Sequence, residues 1–155
     1  MEQKTKIQAK EGKQEVFITR EFDLPLELLF KAYIEPEWVE QWMGTKVLKL
    51  ESKKQGAYRF ETTDAKGNIL LQSSGVIHDI IINQKIIRTF EMENTPFPVQ
   101  LEYLEFEKIT EQSSKLTMQI VYKSVSDRDA MLNLPFAFGV NRAHNKLQEM
   151  LNKLK

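Results

Sequence analysis

The sequence predicts an α+β fold in which a curved antiparallel sheet of about seven strands holds one long C-terminal helix on its concave face. Three observations predict it. A strand-like stretch from Val16 runs into two short helix starts, each opened by a proline and together ending on Trp42 and Gly44. Six further apolar segments then follow, separated by short polar turns. From about Asp127 the strand pattern stops, and apolar residues recur at helical spacing to the chain end.

The first strand is read from Val16, Ile18 and Arg20 alternating with Phe17, Thr19 and Glu21, a β-branched and aromatic run of period two. Pro25 and Pro36 stand beside Asp23, Glu27, Glu35 and Glu37, where a first helical turn tolerates the missing N–H and favours acidic charge. On the first of these helices Leu26, Leu29, Phe30 and Tyr33 share a face. On the second, Trp38 and Trp42 stand four residues apart.

Strands are predicted at Lys46 to Leu50, Ala57 to Thr62, Ile69 to Ile77, Ile86 to Met92, Val99 to Phe106 and Leu116 to Tyr122. The turn sequence Asp64-Ala65-Lys66-Gly67-Asn68, the short Asn83-Gln84-Lys85 and the polar Glu111 to Ser114 join neighbours as antiparallel pairs. Pro96 and Pro98 exclude their segment from a central strand, because proline removes a ladder donor. Phe136, Val140, Ala143, Leu147, Met150 and Leu154 mark a single amphipathic helix, with Pro135 at a start or kink and Lys153 and Lys155 at its negative end. No repeat or linker divides the chain, so residues 1–155 are expected to form one domain, with 1–13 as a polar leader.

Composition narrows the function. The 22 Lys and Arg balance 22 Asp and Glu without a charged block, which argues against nucleic acid as a partner. The absence of cysteine excludes disulfides, thiol nucleophiles and cysteine-held metals. No signal peptide or membrane span is evident, so a cytoplasmic location is expected. No zinc-protease or calcium-loop motif, nucleophile elbow, phosphate loop or dinucleotide fingerprint is present, and neither a metal, a cofactor nor a catalytic residue is assigned. Glu102 and Glu105 read as solvated.

The order strand, two short helices, six strands and final helix resembles that of the helix-grip fold of START-like, or SRPBCC, proteins. Phe22-Asp23-Leu24-Pro25, Leu29-Phe30, Ala32, Pro36-Glu37 and Trp42 look like the opening motif of bacterial proteins related to the activator of heat-shock protein ATPase. Gly56 with Tyr58-Arg59-Phe60, Gly75-Val76, Arg88-Thr89-Phe90 and Gly139-Val140-Asn141 with Leu147 and Leu151 resemble that family's later elements. The likeness spans about Val16 to Leu154. Met43 and Phe90 stand where the family often carries tryptophan, and one glycine, Gly56, replaces a pair; a relative's ligand therefore does not transfer to this chain.

The resemblance implies an apolar cavity between sheet and final helix, and with it three readings. The leading one is non-catalytic binding of a small hydrophobic or amphipathic molecule by Trp42, Phe60, Phe90, Met118, Tyr122, Phe136, Gly139 and Val140. Gly139, costly inside a helix, is expected on the inner face, beside a bulky neighbour or a ligand. The others are an enzyme of the same fold, cyclase-, hydrolase- or dehydratase-like, and a module that contacts a chaperone. A homodimer contact is a further partner expectation. Gln72, Ser74, Arg59, Tyr103 and His144 are the polar candidates for the interior, with a β-bulge able to reverse their parity. His144 reads as a boundary histidine.

Overall fold

The structure is a computed structural model, and it describes residues 4–155. Among these residues the elements run β1 (Lys6–Gln8), β2 (Glu15–Phe22), α1 (Leu26–Ile34), α2 (Pro36–Met43), β3 (Lys46–Leu50), β4 (Gly56–Thr63), β5 (Ile69–Ile81), β6 (Lys85–Met92), β7 (Gln100–Thr110), β8 (Ser113–Val121), α3 (Val125–Leu132) and α4 (Phe136–Asn152). All strands join one antiparallel sheet in the order β1-β2-β8-β7-β6-β5-β4-β3. The fold is the expected helix-grip arrangement.

Two expectations change. The sheet has eight strands rather than about seven, because Lys6, Ile7 and Gln8 of the polar leader pair with Thr19, Ile18 and Phe17. A three-residue edge strand with two exposed residues carries too little alternation to stand out in sequence. The chain beyond the last strand also forms two helices. Ser124 caps α3, its hydroxyl accepting from Asp127 N, and Pro135 separates that helix from α4.

Register decides which side chains face the helices. Val16 pairs with Ile120, Ile120 with Glu102, and Glu102 with Arg88; Ile18, Met118, Leu104 and Ile86 form the neighbouring inward row. The intervening row of Phe17, Gln119, Tyr103 and Ile87 lies on the outer face. No bulge interrupts β7 from Leu101 to Lys108, so its alternation is clean there. The bulges lie elsewhere, among them one between Ile77 and Asp79 in β5.

Beneath the sheet, Phe30 and Tyr33 of α1 meet Phe106 of β7 edge-on at 4.9 and 5.4 Å between ring centres. Tyr33 also touches Trp42 at 5.0 Å. Gly44, at φ +64°, ends α2 in the left-handed region, with its N–H returning to Glu40 O. Gly75 is required for a different reason: a Cβ there would lie 2.0 Å from Thr89 O and 2.6 Å from the Tyr58 hydroxyl. Tyr58 thereby crosses its strand partner and donates to Thr89 O.

Candidate functional site

The inner face is largely apolar, with one compact polar cluster on β6 and β7 and a second where β2 meets α4. Glu102 is buried, its Oε1 accepts from Arg88 Nε at 2.9 Å, and its Oε2 accepts from Gln100 Nε2 at 2.8 Å. The Arg88 guanidinium lies over the Tyr58 ring at 5.4 Å. Burial disfavours its charge, but Glu102, together with the Tyr58 and Tyr33 hydroxyls, more than offsets burial and raises its pKa. Burial likewise pushes the Tyr33, Tyr58 and Tyr122 hydroxyls well above the usual tyrosine range, so all three stay protonated. The Tyr122 hydroxyl is enclosed and has no hydrogen-bond partner among the described residues.

The expectation that Glu102 is solvated is therefore wrong. A signal was present. Gln100 and Glu102 share parity with Leu104 and Phe106 in β7, and Arg88 shares it with Ile86 and Phe90 in β6. Once the strand is unbulged, parity carries these polar groups inward. The same rule places Arg59, Gln72, Ser74 and Tyr103 on the outer face, where Arg59 pairs with Glu93 at 3.0 Å and Gln72 donates to Glu61 at 2.9 Å.

His144 is buried rather than at a boundary. Its Nδ1 lies 2.9 Å from Thr5 Oγ1, Arg20 Nη1 lies 3.2 Å from the same oxygen, and the Phe22 ring stands edge-on at 5.5 Å. Burial, and then the Arg20 charge, push the His144 pKa down to about 3. The imidazole is neutral at ordinary pH, and the Thr5 hydroxyl oxygen, which accepts from Arg20, shares a hydrogen bond with its Nδ1. Asn141 Oδ1 accepts from Thr5 N and Asn145 Oδ1 accepts from Arg20, so the leader strand and β2 together pin the middle of α4.

The residues read as ligand-binding divide into three groups. Phe60, Met118 and Tyr122 are buried on the inner face, and Phe90, Phe136 and Val140 pack half-buried against the same core. Trp42 is buried, with Nε1 donating to Ala32 O at 2.8 Å, so its polar edge ties α2 to α1. Gly139 departs from its expected inner placement: it is exposed, and a Cβ there would meet nothing within 4 Å. No bulky neighbour calls for glycine at this position. The buried line of α4 runs through His144, Leu147 and Leu151, rotated from the expected Ala143, Met150 and Leu154, and Gly139 falls outside it. Trp42 and Gly139 do share an open groove of about 720 Å³ between α2 and α4, lined also by Met43, Arg142 and Lys146.

Among the described residues, no cluster of three or more His, Asp or Glu is placed to hold a metal, and no helix is long and apolar enough to cross a membrane. The family model described as "Activator of Hsp90 ATPase homolog 1-like protein" matches residues 23–152. The chain belongs to this family. Solved structures share the family fold: a Mycobacterium smegmatis protein aligns with a TM-score of 0.84 at 18% identity, covering 96% of each chain. A Rhodobacter sphaeroides protein aligns at 0.83 and 21% identity, covering 97% of this chain and 100% of its own. A Staphylococcus epidermidis protein aligns at 0.80 and 20% identity over 96% of this chain and 94% of its own. No curated protein matches the chain.

Proposed function

We propose that this family member binds a small apolar or amphipathic molecule between the concave sheet and α4, without catalysing a reaction. The observation that carries the reading is the buried polar group of Arg88, Glu102 and Gln100 among apolar side chains of the inner face, on which the Tyr122 hydroxyl is also enclosed and left unpartnered. An isolated polar group inside an apolar concavity is the arrangement that orients a ligand whose affinity comes from burial. The first half of α4 supports the same reading. From Phe136 to Ala143 no side chain is fully buried, and Leu134 and Phe138 expose apolar surface around its start. That end of the grip is where a guest would enter.

The enzymatic alternative needs a base or acid free to act on a guest. Arg59 and Tyr103 lie on the outer face, His144 is enclosed by Thr5, Arg20 and Phe22, and both oxygens of Glu102 are engaged. These groups do not converge. Native mass spectrometry of the purified protein, followed by titration with fatty acids, isoprenoids and aromatic polyketides, tests the binding reading. A bound species or a saturable titration supports it; no binding by any of these classes ends it.

A further inference from the structure

We propose that the trough between α2 and α4 docks an amphipathic helix of a partner protein whose apolar stripe is flanked by Asp and Glu. This surface stands apart from the inner face and from the guest-binding reading. The groove of about 720 Å³ that holds Trp42 and Gly139 is continued by a second cavity of about 540 Å³, walled by Trp38 and Gln41 of α2 and by Met150, Lys153 and Leu154 toward the chain end. Lys146 and Glu149 line both, so the two form one trough. At about 1.5 Å rise per residue the wall from Gly139 to Met150 runs roughly 16 Å, about three turns of a docked helix.

Shape and charge together select the occupant. Met43 and Leu154 are 39% and 53% exposed, and Trp38, Ala143 and Met150 are half-buried beside them, which leaves an apolar floor for a partner's apolar stripe. Gly139 and Ala143 stand one turn apart on the wall, and a Cβ at 139 would meet nothing within 4 Å, so a backbone can approach closely there. Trp42, buried and tied through Nε1 to Ala32 O, fixes the opposite wall. The charges are one-sided. Arg142, Lys146 and Lys153 line the trough against one carboxylate, Glu149, and none of the three cations forms an ion pair among the described residues. Lys31 of α1, its Nζ 4.8 Å from the Trp38 ring centre, adds the same sign at that end. On α2, Glu40 is turned to Val47 N, and neither it nor Glu37 lines the trough. Carboxylates flanking an apolar stripe meet this excess positive charge, and a basic helix is repelled by it.

The test uses a stapled, fluorescein-labelled synthetic helix of about four turns, with leucine at i, i+3, i+4 and i+7 and glutamate on both flanks, and a counterpart in which every glutamate is lysine. Fluorescence anisotropy against the full chain reads the binding. The acidic helix is expected to bind saturably and about tenfold or more tightly than its lysine counterpart, a margin that shrinks as salt rises. The paired variant Arg142→Glu/Lys146→Glu should weaken it about tenfold, and Gly139→Leu, which puts a side chain into the open head of the trough, should do the same through shape alone. Circular dichroism checks that the variants fold. Should Gly139→Leu not fold, the charge-reversed pair decides, because Arg142 and Lys146 are exposed. No saturable binding, equal binding of the two helices, or binding indifferent to both variants overturns the proposal. Two further results overturn it by naming another occupant. Binding of cis-parinaric acid, a fluorescent fatty acid, that competes with the helix and is lost with Gly139→Leu gives the trough to a small amphiphile. A concentration-dependent dimer in sedimentation that Gly139→Leu abolishes gives it to a second copy of this chain. Guest binding at the inner face is read separately by native mass spectrometry and does not depend on any of these outcomes.

Discussion

The two halves of α4 solve opposite problems with one helix. From His144 to Leu151 the helix buries His144, Leu147 and Leu151, and Thr5, just before β1, and Arg20 of β2 reach across to hold it. From Phe136 to Ala143 it buries nothing completely, and its apolar residues Phe136 and Val140 stay half-buried at the edge of the core. The difference teaches where rigidity and access are placed. The closed half anchors the grip, and the open half leaves apolar surface such as that of Phe138 exposed.

The largest effect that could break this comparison is the cost of cutting side chains back. Leu147 is 0% exposed, so Leu147→Ala should lower the unfolding free energy by about 3 kcal/mol, within the range for a fully enclosed leucine whose cavity cannot collapse. Val140→Ala at the open half should cost about 1 kcal/mol or less, since its side chain keeps part of its solvent contact. Urea denaturation of both variants checks the pair. Equal losses would mean that the helix is packed alike along its length.

A second effect sharpens the closed half by pH. The His144 pKa is lowered by burial, and by the Arg20 charge, from its ordinary 6.5 to about 3. Between those values the unfolded chain binds a proton that the folded chain refuses, so stability is complete above about pH 6.5 and falls as the solution is acidified toward 3. From pH 7.5 to 5 the loss attributable to this group is about 2 kcal/mol. His144→Asn, which can keep a polar contact to Thr5 without titrating, should be less stable at pH 7.5 yet change less across that interval. Urea midpoints at the two pH values measure it. An undiminished slope in the variant would show that His144 is not the group responsible.

The legibility of this chain in its sequence divides along the same physical line. The prolines at 25 and 36, the alternation in Val16 to Glu21 and the turn at Asp64 to Asn68 report backbone geometry through local chemistry, and the structure follows them, down to Asp64 Oδ1 accepting from Lys66 N and Asn68 N. The interior polar groups depend on parity across partners distant in sequence. Glu102 reads as solvated by residue type, and only its shared parity with Leu104 and Phe106, together with an unbulged β7, turns it inward. Thr5 was out of reach for a related reason. Its role comes from contacts with His144 and Arg20, 139 and 15 residues away, and nothing in a polar leader announces them. The eighth strand was missed with it.

The smallest effect concerns Gly139, and it tests the open half by stabilising it. Glycine in a helix interior costs about 0.5–1 kcal/mol relative to alanine, through the freedom it gives the unfolded chain. A close neighbour would justify that cost, yet a Cβ at 139 would meet nothing within 4 Å and the residue is exposed. Gly139→Ala should therefore raise the unfolding free energy by about that amount, read as a higher urea midpoint at unchanged slope. What the substitution does to ligand binding then separates two roles for the glycine. If parinaric acid binds as before, Gly139 only borders the groove shared with Trp42. If stability rises while the rates of binding and release fall, the open half of α4 must flex to admit its guest, and glycine at 139 is the residue that lets it. A loss of stability would break the comparison instead, because it would require a packed neighbour on a face the structure leaves open.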